Sequence, residues 1–143
     1  MSKDQQAEPL KIYDLKERTA RFGEAVIRFA QLLPRGPVTN PLISQLVASG
    51  TSIGANYCEA DEGETRRDFM HKIGICTKEA SETCYWLRMI AVADPESKAR
   101  ARLLWQEAKE LNLIFAKIFR HKKSAPSNDR SPKQTLPDSR TLS

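Results

Sequence analysis

Apolar side chains return along this chain at alternating steps of four and three residues, in four separate stretches. In the first, Leu15, Thr19, Phe22, Val26, Phe29 and Leu33 fall on one face of a helix running from about Asp14 to Leu33. Asp14 is placed to cap it, with Glu17 completing a capping box, and Pro34, Gly36 and Pro37 stop it. The second stretch opens at Asn40 and Pro41, an N-cap with proline at the first helical position. Its inward face carries Ile43, Leu46, Gly50, Ile53 and Tyr57. Gly50 and Gly54 each cost about 1 kcal/mol relative to alanine inside a helix. Close approach of a neighbouring helix would compensate; a local kink is the other explanation.

The third stretch, from about Thr65 to Ala91, places Phe69, Ile73, Cys76, Ala80, Thr83, Leu87 and Ile90 in register. Asp94 and Pro95 open the fourth, which continues to about His121 with Leu104, Ala108, Leu111, Phe115 and Ile118 as its stripe. An average repeat of 3.5 residues favours the shallow crossing angles of a bundle, and short connections make sequential helices antiparallel neighbours. The pattern therefore predicts an all-α, antiparallel, up-down-up-down four-helix bundle over residues 13–121. A flexible segment, 1–12, precedes it and a disordered basic tail, 122–143, follows, with Pro126, Pro132 and Pro137 among serines and charges.

Charge changes this picture little. Of the formal +5, the tail supplies three (Lys122, Lys123, Arg130, Lys133 and Arg140 against Asp129 and Asp138), so the body holds only +2. Such a body does not demand a polyanion, although it can carry basic patches. The topology gathers Arg35, Arg88, Lys98, Arg100 and Arg102 at one pole, opposed by Asp94 and Glu96. Lys98 and Arg102 share a helix face and Arg100 between them points elsewhere, yet the three can surround a helix end and meet phosphates from several directions. The opposite pole, with Arg120, Lys122 and Lys123, is mixed in charge because Asp61, Glu62, Glu64 and Asp68 lie there too. Phosphate contacts at these cations would give salt-dependent affinity without sequence readout. An ordinary solvated basic pole is the competing explanation.

Apolar residues exceed what one stripe per helix needs. Tyr85 and Trp86 lie off the third stripe, while Trp105, Leu113 and Phe119 widen the fourth. They either close the edges of a monomer's core or anchor a subunit interface, and the second reading predicts a homo-oligomer.

Chemistry for catalysis is sparse. Asp68 and His71 have a spacing a metal can use, but a di-iron bundle wants two Glu-x-x-His units and two further carboxylates. His121, the other histidine, has no matching acid. No phosphate loop or nucleophile elbow is present, so neither catalytic residues, a metal nor another cofactor is expected. Three cysteines, Cys58, Cys76 and Cys84, argue against a disulfide framework and suit a reducing compartment. The polar opening residues contain no signal-peptide pattern, and no stretch is apolar enough to span a bilayer. A cytoplasmic protein without membrane association is expected.

The block 44–89, SQLVASGTSIGANYCEADEGETRRDFMHKIGICTKEASETCYWLRM, is where a resemblance lies. Ser52-Ile53-Gly54-Ala55-Asn56-Tyr57, Glu59-Ala60, Arg67, Phe69 and the run Glu79 to Glu82, with the earlier Tyr13-Asp14-Leu15, follow a family pattern. The chain resembles, over residues 12–120, the four-helix-bundle proteins encoded in intervening sequences of bacterial 23S ribosomal RNA genes. The same superfamily includes accessory variability determinants of diversity-generating retroelements. Gly54 stands where that family often has proline. The resemblance implies a pentameric ring or barrel, and its retroelement branch implies a reverse-transcriptase partner and nucleic acid bound on positive surfaces. Shared fold alone does not carry that function across. The leading expectation is a non-enzymatic oligomeric adaptor binding RNA, DNA or a nucleoprotein. The alternative is a structural or protein-interaction module without nucleic-acid binding.

Overall fold

The computed structural model describes residues 14–124. The expectations for 1–12, for 125–143 and for the side chains of Lys122 and Lys123 lie outside the described residues, whereas the backbone of 122–124, expected to start the disordered tail, continues the last helix. Four helices follow one another: α1 (Leu15–Gln31), α2 (Thr39–Asp61), α3 (Arg66–Ala93) and α4 (Lys98–Ser124). They pack as a four-helix bundle in which each helix contacts the next and α4 returns to α1, consistent with up-down-up-down order. Among the described residues no helix is long and apolar enough to cross a membrane.

The four-three stripes form the core. Leu15, Phe22 and Val26 of α1, Leu46 and Ile53 of α2, Ile73, Leu87 and Ile90 of α3, and Leu111 and Phe115 of α4 are all buried. Tyr57 and Phe115 meet at 5.7 Å between ring centres. Polar side chains sit among them too, Thr19, Ser49 and Thr83 in the packed faces themselves. The hydroxyls of Thr83 on α3 and Ser49 on α2 hydrogen bond to each other at 3.0 Å, both side chains buried.

The helix ends depart from the expected caps. Asp14 makes no side-chain cap bond, and Glu17 pairs with Arg21 one turn on instead of closing a capping box. Asn40 is not the N-cap of α2, which begins at Thr39 behind Val38. Asn40 clasps the preceding turn: its Oδ1 accepts from the Gly36 N–H at 3.1 Å, and its own N–H donates to the Gly36 carbonyl at 2.9 Å. Thr39 Oγ1 donates to the Pro34 carbonyl at 2.7 Å, so the turn competes for the polar groups a cap would use. Thr65 does cap α3, accepting from the Asp68 N–H at 3.0 Å. Asp94 and Pro95 lead into one 3₁₀ turn, Pro95–Ser97, before α4 starts. The buried Ser97 closes that turn by donating to the Asp94 carbonyl at 2.8 Å.

α1 lies directly on the small residues of α2. A methyl group added at Gly50 would stand 3.0 Å from both Val26 methyls, and one at Gly54 would stand 3.0 Å from Thr19 Oγ1 and 3.2 Å from its Cβ. Tight approach is thus the compensation for the two glycines. Gly23, on the facing side of α1, is less crowded, with the nearest atom 3.6 Å from an added methyl. α1 meets α4 far more sparsely, and there Arg18 spans the seam with a bidentate bond to Glu107 (2.7 and 2.9 Å) and a third bond to Glu110 (2.6 Å). The Glu107 bond is the largest of several effects holding the guanidinium pKa above its usual value.

Substitution of the three seam glycines by alanine should therefore give opposite signs. At Gly50 and Gly54 the gain of about 1 kcal/mol in helix propensity is outweighed by overpacking of about 1–3 kcal/mol against buried Val26 and Thr19. At Gly23 only the gain remains. Urea denaturation should place Gly23→Ala at or above wild type and the other two below it.

Candidate nucleic-acid interface

The α3 stripe leaves a flank facing α4, and the α4 stripe leaves a matching flank facing α3. Where the C-terminal half of α3 meets the start of α4 these flanks enclose a groove of about 370 Å³. Its floor is apolar, formed by Leu87, Ala91 and Ala101. Arg88 from α3 and Lys98 and Arg102 from α4 line it, with Trp105 at its inner end. Lys98, Arg102 and Trp105 share this flank because steps of four and three keep helical residues in line. Among the described residues no carboxylate lines the groove. Asp94 and Glu96, the acids of this pole, belong to the connection and the 3₁₀ turn. Among the described residues, none of Arg88, Lys98 and Arg102 makes an ion pair.

Trp105 is held in place from both sides of the seam. The Cys84 thiol of α3 donates to its carbonyl at 3.8 Å, and Lys109 Nζ lies over its ring, 5.6 Å from the centre. Burial raises the Cys84 pKa, with Lys109 opposing the shift. Further along, Asn112 Nδ2 donates to the Thr77 carbonyl at 2.8 Å and ties the two helices together. A second groove of about 530 Å³ follows at the far end of this seam, between Arg67, His71, Gly74 and Lys78 of α3 and Phe119 of α4.

The basic pole expected from topology thus divides. Arg88, Lys98 and Arg102 come together, whereas Arg100 lies on the α1 side, its guanidinium carbon 5.7 Å from the centre of the Phe29 ring. Arg35 is exposed in the connection between α1 and α2, and Arg120 is exposed near the end of α4. The residues expected at a subunit interface also scatter. Tyr85 and Leu113 are exposed, Phe119 lines the second groove, and Trp86 packs against the core with Tyr85 edge-on at 5.0 Å. Among the described residues Trp86 Nε1 has no hydrogen-bond partner. Lys109, Lys78 and Arg67 are the cations that sequence reasoning did not assign to this face. The four-residue step from Trp105 to Lys109 was the available signal for the first of them.

Among the described residues no three His, Cys, Asp or Glu side chains are grouped to hold a metal ion. The cavity between α1 and α4, about 540 Å³, is lined by Asp14, Glu17, Arg18, Arg21 and Glu107, with Arg18 and Arg21 both engaged by acids.

A family model described as "23S rRNA-intervening sequence protein" matches residues 11–117. A solved structure from Bacteroides thetaiotaomicron VPI-5482, described as a protein with unknown function from the S23 ribosomal protein family, is 28% identical to this chain. The two align with a TM-score of 0.65 over 73% of this chain and 97% of the other. No curated protein matches the chain.

The three cysteines should report this architecture by their reactivity. Cys58 is exposed, Cys84 half-buried at the Trp105 carbonyl, and Cys76 buried in the core, where burial pushes its thiol up to about 12. Alkylation followed by mass spectrometry at pH 8 should modify Cys58 first, Cys84 slowly, and Cys76 only on unfolding. Because the folded state holds the Cys76 proton more tightly than the unfolded chain, its contribution to stability is complete below about pH 9. It should decline as pH rises from there toward 12.

Proposed function

The chain belongs to the 23S rRNA-intervening sequence protein family, and from that premise we propose that it is a non-enzymatic oligomeric adaptor that binds nucleic acid or a nucleoprotein through the α3–α4 groove. The observation that carries this reading is the division of charge on α4. Glu107 and Glu110 are taken up by Arg18 on one side, while Lys98 and Arg102 meet Arg88 on the other without any acid between them. Cations left unpaired over an apolar floor are disposed to meet phosphates. The family description names ribosomal RNA, which makes RNA the first polyanion to test.

Assembly is the second part of the proposal. Leu103 is 67% exposed, Leu113 56% and Tyr85 53%, apolar side chains that a neighbouring subunit would cover. A homo-oligomer, a pentamer by the resemblance noted above, would cover part of it. A reverse transcriptase belongs to the same proposal as a partner of the nucleoprotein class, and a cytoplasmic setting as its place. One observation favours the alternative of a protein-interaction module. Leu32, Val38 and Val92, all near one pole, are 66%, 65% and 75% exposed.

Reversal of Arg88, Lys98 and Arg102 to glutamate should abolish RNA and DNA binding measured by fluorescence anisotropy. Single replacements by glutamine should each flatten the dependence of log K on log salt by about 0.7–0.9. Arg100→Glu, altered on the α1 side, is the matched control and should bind as wild type. Absence of wild-type binding at low salt would leave the protein-interaction module as the better reading. Light scattering coupled to size-exclusion chromatography should give a multiple of the 16.2 kDa chain; a monomer at every concentration would sink the assembly.

A further inference from the structure

Phosphate recognition accounts for the three cations of the groove but not for the indole between them. Trp105 remains 36% exposed although it stands beside the fully buried Leu87 and Ala101, and it ends a cleft whose floor has no polar side chain. A duplex presenting only its backbone would have no use for such a floor. An unpaired base would, because every base has an apolar face that stacks on an aromatic ring whatever its sequence. The volume of about 370 Å³ lies at the small end of the range that takes a compact ligand. Around it, Arg88, Lys98 and Arg102 stand where the flanking phosphates of such a base would run, and Lys109 over the ring adds a fourth cation. Charge complementarity and the apolar floor thus point to one occupant.

We propose that the groove captures a single-stranded nucleic acid by stacking an unpaired base on Trp105 while Arg88, Lys98 and Arg102 hold the adjoining phosphates. This rests on the nucleic-acid reading above and narrows it to strand type. Discrimination comes from the indole, since a paired base cannot enter the cleft, whereas the cations serve either kind of backbone.

The two tryptophans make the test direct. Trp86 Nε1 has no hydrogen bond to lose, so Trp86→Phe keeps an aromatic ring against the core, costs packing only and leaves Trp105 as the sole indole emitter. In that protein an oligoadenylate of about ten nucleotides should quench the emission as it binds, and an RNA duplex of equal length should not. Trp105→Ala should weaken oligoadenylate binding roughly 5- to 100-fold and duplex binding little, while Trp105→Phe should retain most of the affinity. Unquenched emission at saturating oligoadenylate would overturn the stacking role even if the alanine variant fails to fold. So would equal single-strand affinity in wild type and a folded Trp105→Ala protein. If the charge reversals still abolished binding in that case, the phosphate-binding reading would stand alone. Failure of the wild type to bind either strand form would remove both.

Discussion

The contact between α1 and α2 sets how α1 meets the rest of the bundle. Val26 and Thr19 rest on α2 at the two positions, Gly50 and Gly54, where it presents no side chain, and the distances leave no room for a methyl group. A helix drawn so near one neighbour stands away from the other. Along α4, α1 is met by long side chains in place of interlocked short ones: Arg18 reaches Glu107 and Glu110, and Arg100 covers Phe29. The cavity that remains between these helices is the geometric counterpart of the tight seam opposite.

That arrangement decides the electrostatics of α4. Its acidic residues on the α1 side are engaged by Arg18, a largely sheltered guanidinium whose bidentate bond to Glu107 gives the pair a fixed orientation. Its cations on the α3 side have no comparable partner, and α3 contributes Arg88 to the same cleft. A body of low net charge can therefore carry a strongly basic groove, because charge is sorted by helix face and not by segment of the chain. The bulk figure of +5 conveys none of this.

Periodicity carried most of the fold into the sequence. Val26, Ile53, Ile73 and Phe115 recur at helical steps, and burial follows those steps because a bundle core is a stripe on each helix. Caps were less legible. Asn40 has the chemistry of an N-cap, yet its side-chain oxygen accepts from Gly36, four residues back in a Pro- and Gly-rich turn, a choice fixed by the path of the turn and not by residue type. The candidate basic groove was legible only in part: topology gathered Arg88, Lys98 and Arg102, but it gathered Arg35 and Arg100 with them, and the structure puts Arg100 over Phe29 on the α1 side. What lay beyond reach was pairing across helices. Nothing in the spacing of Arg18 and Glu107 announces that they meet, so the subtraction of the α4 acids from the groove could not be made.

The buried Thr83–Ser49 bond has a bearing on uniqueness. A stripe that repeats every 3.5 residues looks much the same after a slide of one heptad, about 10 Å along the axis. Hydrocarbon contacts alone discriminate weakly between such alignments. Displacing α3 by seven residues would bring Cys76 or Ile90 opposite Ser49, and the bond between the helices would be lost, each hydroxyl keeping only the carbonyl of its own helix, Glu79 for Thr83 and Leu46 for Ser49. One polar pair in the middle of α2 and α3 thus acts as a keyed joint, fixing which turn of one helix answers which turn of the other. The groove inherits that alignment, because Arg88 lies only five residues beyond Thr83 on the same rigid helix.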